Sequence, residues 1–127
     1  MKPGTITHTV AVVLSSVTSL FAQSAPTKEF PTDAQALSVD ELKQTLSGRV
    51  FMLSWVGAPA WRMEFKNDGY IFFNAGSANG SGTWRAESGK VCTEMRAFEN
   101  NCNEIRKGGD LLYYKRLSGE VIAMVSK

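Results

Sequence analysis

Between Trp61 and Lys66 apolar and charged residues alternate strictly, with Trp61, Met63 and Phe65 on one side and Arg62, Glu64 and Lys66 on the other. A period of two is that of a half-buried strand. Asn67, Asp68 and Gly69 then supply a turn whose last residue can take the positive φ of a bulged hairpin, and residues 70–75 run back as a second strand. Setting Lys66 opposite Tyr70 places Phe65 against Ile71, Met63 against Phe73 and Trp61 against Ala75, so that one face of the hairpin is wholly apolar. The other face carries Arg62, Glu64, Lys66, Tyr70, Phe72 and Asn74, two aromatics among charges.

Upstream of this hairpin the pattern differs twice. Lys2, an apolar run over residues 10–22 and small residues around Ala22, Ser24 and Ala25 predict a secretory signal peptide over residues 1–24, cleaved after Ala22 or Ser24. That run is too short to span a bilayer. Residues 25–36 hold Pro26 and Pro31 without periodicity and read as a flexible arm or extended lead-in. Ser38 with Glu41 three residues on forms a capping box, and Leu37 can staple onto Leu42. Val39, Leu42 and Leu46 share one face and Gly48 ends the run, which predicts one short helix laid on something apolar.

From Arg49 onward the pattern is β throughout. Strands are predicted over residues 49–56, 61–66, 70–75, 83–86, 90–95, 102–107, 111–116 and 121–126, separated by turn signals, with residues 76–82 (GSANGSG) as a glycine-rich loop. No helix is long enough to cross between parallel strands. The fold class is therefore mainly β: a small antiparallel up-and-down barrel of about eight strands with one short N-terminal helix, forming a single domain over residues 37–127. The last strand is apolar on both faces, as suits one that closes a barrel.

Charge and composition narrow the chemistry. Loss of the leader removes Lys2 from 14 basic residues and none of the 12 acidic ones, leaving a net of +1 that favours neither nucleic acid nor an anionic membrane. It also removes His8, the sole histidine, so that no Ser-His-Asp triad, Cys-His pair or ordinary zinc site can be built. Cys92 and Cys102 are the only cysteines, and in the oxidising compartment that a signal peptide implies they are expected to form a disulfide. Their spacing is not that of a redox-active CxxC pair.

Three patterns could carry function. The glycine-rich loop lacks a following GK[ST] and enters a strand, so it is not a phosphate cradle. Carboxylates such as Glu64, Glu94 and Glu104 sit at strand spacing, and solvated strand faces account for them. The aromatics are more informative, because the adjacent pairs Phe72-Phe73 and Tyr113-Tyr114 must point to opposite sides. One member of each faces away from the main core, under the helix or the arm, or in an exposed patch that would mark a ligand or partner surface.

The run of Phe65 to Gly69, the Gly82-Thr83-Trp84 triplet, and Cys92 with Cys102 ahead of a Tyr-bearing strand resemble small exported bacterial β-domain proteins of unknown function. The glycine-x-tryptophan hairpin more distantly resembles the calycins, which are lipocalins, avidins and barrel inhibitors of proteases. The calycin likeness implies a barrel and no particular binding residue, since Trp84 lies on a middle strand. The chain is thus expected to be a periplasmic or secreted, monomeric binding protein and not an enzyme, without cofactor or metal, taking a small molecule or an envelope or host protein as partner. Trp61, Tyr70, Trp84 and Tyr113 are the expected ligand-binding residues at the barrel mouth. An alternative expectation is an inhibitor of a secreted or host hydrolase, using residues 23–36 or 96–101 to enter the target's cleft.

Overall fold

The computed structural model describes Gly4 and residues 27–127, so the predicted signal peptide lies, Gly4 apart, outside the described residues. Its elements are β1 (Gln35–Ala36), α1 (Val39–Leu46), β2 (Arg49–Leu53), β3 (Trp61–Phe65), β4 (Tyr70–Ala75), β5 (Ala78–Glu87), β6 (Lys90–Met95), β7 (Asn101–Gly108), β8 (Leu111–Lys115) and β9 (Val121–Ser126). Each strand from β2 to β8 pairs antiparallel with the next in the chain, and β9 returns to pair with β2. The result is the closed eight-stranded antiparallel barrel that the patterning predicts. Closure removes the unpaired edges that would otherwise invite aggregation.

The register of the first hairpin is the one its apolar face demands: Phe65 opposes Ile71, Met63 opposes Phe73 and Trp61 opposes Ala75. A slip of one residue would turn the three inward side chains of the slipped strand to solvent. The turn is held by the Lys66 amide donating to the Tyr70 carbonyl at 2.8 Å, with Gly69 at φ +88°. Continuing the same alternation inward, Phe51, Leu53, Val91, Ile105, Leu112, Ile122 and Met124 join the hairpin's buried residues in a single core.

One end of the barrel is plugged by α1. Ser38 accepts from the Glu41 amide and donates its own amide to the Glu41 carboxylate, which completes the capping box. Leu42 and Leu46 are fully buried, and Leu37 joins them in the core. Gly48, at φ +73°, turns the chain out of the helix and donates to the Phe65 carbonyl, so the helix is tied to the Phe65 end of β3. The opposite end, at Trp61, is left open to a different use.

Two expectations are corrected. The glycine-rich stretch is not a loop: the turn is confined to Gly76 and Ser77, and residues 78–82 pair along β4 as the first half of β5. Its glycines answer to crowding, since a Cβ at Gly82 would overlap the Glu94 carbonyl oxygen and one at Gly80 would lie 2.5 Å from Phe98 Cε2. Nor are Tyr70 and Phe72 covered by helix or arm; both are exposed on the outer face of β4.

The described part of the arm is an extended lead-in laid along the barrel. Thr27 accepts from the Val121 amide, Ala34 is buried, and β1 pairs with Arg106 and Lys107 of β7. Phe30 lies beneath the Arg106 guanidinium at 4.5 Å. Val121, on the outer face of β9, is buried by this contact, which explains part of the last strand's two-sided apolar pattern.

Candidate functional site

β3 positions the site. It starts at Trp61 and ends at Phe65, and a five-residue strand carries its odd-numbered side chains inward along most of the barrel's depth. At the Phe65 end the helix leucines fill the interior. At the Trp61 end there is a partly open cavity of about 320 Å³, at the lower limit of small-molecule sites.

Its walls are mostly apolar. Trp61 and Met63 from β3 and Phe73 and Ala75 from β4 form one side, Met95 of β6 faces them, and Ile71 lies deeper. Phe98, from the loop between β6 and β7, closes over one flank by setting its ring edge-on to Phe73 at 5.8 Å, in the space the missing side chain of Gly80 leaves. Trp61 is the hub of the cluster: its ring meets Phe73 at 5.2 Å and Tyr114 at 6.4 Å, edge to face in both cases. From behind, Trp55 packs at 4.7 Å and the Arg116 guanidinium lies 4.6 Å from the Trp55 ring and 5.1 Å from that of Trp61. Arg116 also bonds the Glu120 carboxylate at 2.6 Å, so its charge is compensated where it stands. An indole fixed on three sides is preorganised, and little side-chain freedom remains to be lost when a ligand stacks on it.

Three polar side chains complete the lining: Thr93, Asn101 and Tyr114. The first two satisfy each other, Thr93 Oγ1 donating to Asn101 Oδ1 at 3.4 Å while Asn101 Nδ2 donates to the Glu99 carbonyl at 3.3 Å. Tyr114 is only 6% exposed, and its hydroxyl has no protein partner among the described residues but is not sealed from water, Asn103 Oδ1 being the buried side-chain polar atom without one. Burial pushes its pKa well above the ordinary 10.0, and the opposing pull of Arg116 is the smaller effect. The phenol therefore keeps its proton and acts as a hydrogen-bond donor throughout the neutral range. Asn103, one turn of the pleat below, uses Nδ2 to satisfy the Lys115 carbonyl at 2.9 Å where β7 and β8 part, and its Oδ1 has no protein partner.

Of the four aromatics expected at the mouth, the structure brings only Trp61 to this cavity. Trp84 faces inward but at the helix end, edge-on to Phe65 at 5.3 Å, with its indole N–H donated to the Lys66 carbonyl at 3.0 Å. Tyr70 is 53% exposed on the outer face. Tyr113 is also on the outer face, opposite Ala123 and Arg106 and lying over Gly108 beside Ala34 of the arm. Tyr114, not Tyr113, is the inward member of its pair; Leu112 two residues earlier carries the alternation that identifies it, but Leu111 is apolar too and hides the phase. Phe98, in a polar loop, has no periodic neighbour to signal its role.

The carboxylates lie away from the cavity. Glu64 pairs with Arg62 and Lys66, Glu94 with Arg85, and Glu104 with Lys115, each on the outer surface. Cys92 and Cys102 are opposed across β6 and β7 and joined as the expected disulfide. Glu87 is near both sulfurs, but sulfurs bonded to each other offer no thiolate to a metal. Among the described residues no helix is long and apolar enough to cross a membrane. No family model, no curated protein and no solved structure matches the chain.

Proposed function

We propose that this chain is an exported, non-catalytic binding protein that holds a small, largely apolar molecule in the mouth of its barrel. The observation that carries the reading is the aromatic cavity at the Trp61 end, whose lining offers stacking faces and no carboxylate, thiol or imidazole. Such a wall can bind and orient, and supplies no general acid or base in the neutral range. The disulfide suits the oxidising compartment that the N-terminal patterning predicts. The distant calycin likeness points to the same kind of site. The inhibitor reading needs a segment that stands off the barrel, whereas the described arm lies along β7 and β9 and Phe98 turns its loop inward.

The test is a chemical-shift titration of the folded, oxidised protein with 2-ethylnaphthalene, alongside Ala75→Trp, which fills the cavity from its own wall. Saturable shifts at Trp61, Phe73 and Tyr114 in the native protein, lost in Ala75→Trp, support the reading. Absence of binding, or binding that Ala75→Trp leaves intact, overturns it.

A further inference from the structure

Resting on the cavity's role as a binding site, the chemistry of its lining narrows what it takes. We propose that the cavity selects an uncharged ligand with an apolar body of one or two rings that carries a hydrogen-bond acceptor, such as a ketone, placed against the Tyr114 hydroxyl. Two observations lead here. First, the Tyr114 hydroxyl is the one lining group able both to donate and to accept that has no protein partner among the described residues, its neighbours Thr93 and Asn101 being engaged, and it belongs to a residue more than nine-tenths buried in the wall. A ligand acceptor placed there exchanges the hydroxyl's bond to water for one sheltered by the apolar wall, which is worth about 1 kcal/mol net. Held protonated by burial, the phenol is available as the donor. The indole N–H of Trp61 in the same wall also lacks a partner among the described residues, and it can only donate.

Second, the ligand is uncharged. No lining residue is ionised, and the nearest cation, Arg116, is already bonded to Glu120 and stacked on Trp55 and Trp61. A carboxylate entering here would lose its hydration without a free counter-charge.

The experiment compares 2-acetylnaphthalene, 2-ethylnaphthalene and 2-naphthoate by chemical-shift titration with the native protein and with Tyr114→Phe. The ketone should bind about fivefold tighter than the hydrocarbon of the same shape, the span of one net hydrogen bond. Tyr114→Phe should abolish that preference by bringing the ketone to the level of the hydrocarbon, and the variant's dispersed amide spectrum shows that it is folded. Naphthoate should bind weakest. Equal binding of ketone and hydrocarbon, a preference that survives in Tyr114→Phe, or naphthoate binding tightest overturns this selection while leaving the binding site itself intact. If none of the three binds, the site and its selectivity fall together.

Discussion

The ring of Phe98 lies in the place where Gly80 has no side chain, so closely that a Cβ there would come within 2.5 Å of the ring. The contact joins a loop with no periodicity to a strand that reads as a loop, and it builds one flank of the cavity. Gly80→Ala should therefore expel Phe98 from its seat against Phe73. The barrel should remain folded, because Phe98 is already 44% exposed and lies outside the main core. Affinity for 2-ethylnaphthalene should fall about tenfold, corresponding to roughly 1.4 kcal/mol of lost aromatic contact. Contacts between the Phe98 and Phe73 rings, followed by nuclear Overhauser effects, and the same titration check both points. A variant that keeps the ring contact and the affinity would refute the role given to Gly80.

Cys92 is buried and Cys102 exposed, so reductant can reach the bond from the outer face. The bridge closes a loop of sequence separation 10, worth about 2 to 3 kcal/mol in the chain-entropy view. For a domain of this size, Cys92→Ala with Cys102→Ala should lower Tm by about 10 to 20 °C. Native melts with and without reductant should show the same difference, and reductant should leave the double variant's melt unmoved.

The parts of the fold legible in the sequence are those where one pattern has one physical outlet. Trp61, Met63 and Phe65 could only face Ala75, Phe73 and Ile71 if a single face was to be dry, and the capping box of Ser38 and Glu41 depends on no distant residue. The cavity depended on relations that no local pattern holds. Gly80 and Gly82 look like turn residues because glycine serves both turns and close approach, and only the path of β6 and Phe98 tells which is required. In Leu111 to Tyr114 four consecutive apolar or aromatic residues leave the phase of the strand undetermined, and the inward place of Tyr114 follows from its pairing with Ile105 and Ile122. Trp61 lies at the open end because it begins a strand whose other end, Phe65, adjoins the helix, a relation that only the Gly48–Phe65 contact reveals.

The helix plug makes its own prediction. Leu46 is fully buried between α1 and the barrel, so Leu46→Ala should cost about 2 to 5 kcal/mol, whereas Ser38→Ala, which removes only the cap, should cost about 1 kcal/mol. Urea unfolding followed by tryptophan emission measures both. Since the cavity lies at the other end of the barrel, neither substitution should change ligand affinity while the protein is folded.

Tyr114 should make the protein sensitive to alkali. Its phenol is neutral in the fold because burial raises its pKa above the ordinary 10.0, more than Arg116 lowers it. Below that ordinary value both folded and unfolded chains hold the proton, and the contribution to stability is level. As pH rises past it the unfolded chain releases the proton and the folded one keeps it, so stability falls with pH until the folded group also ionises. By pH 11 this single group should cost roughly 1.4 kcal/mol relative to pH 9. Tyr114→Phe has no proton to lose at this site, so the native protein should lose more stability than the variant between pH 9 and pH 11, by about that amount. Denaturant midpoints of the two proteins across this range measure the difference. Parallel pH dependences would show that the Tyr114 hydroxyl meets solvent freely, and would remove the basis for its role as the cavity's donor.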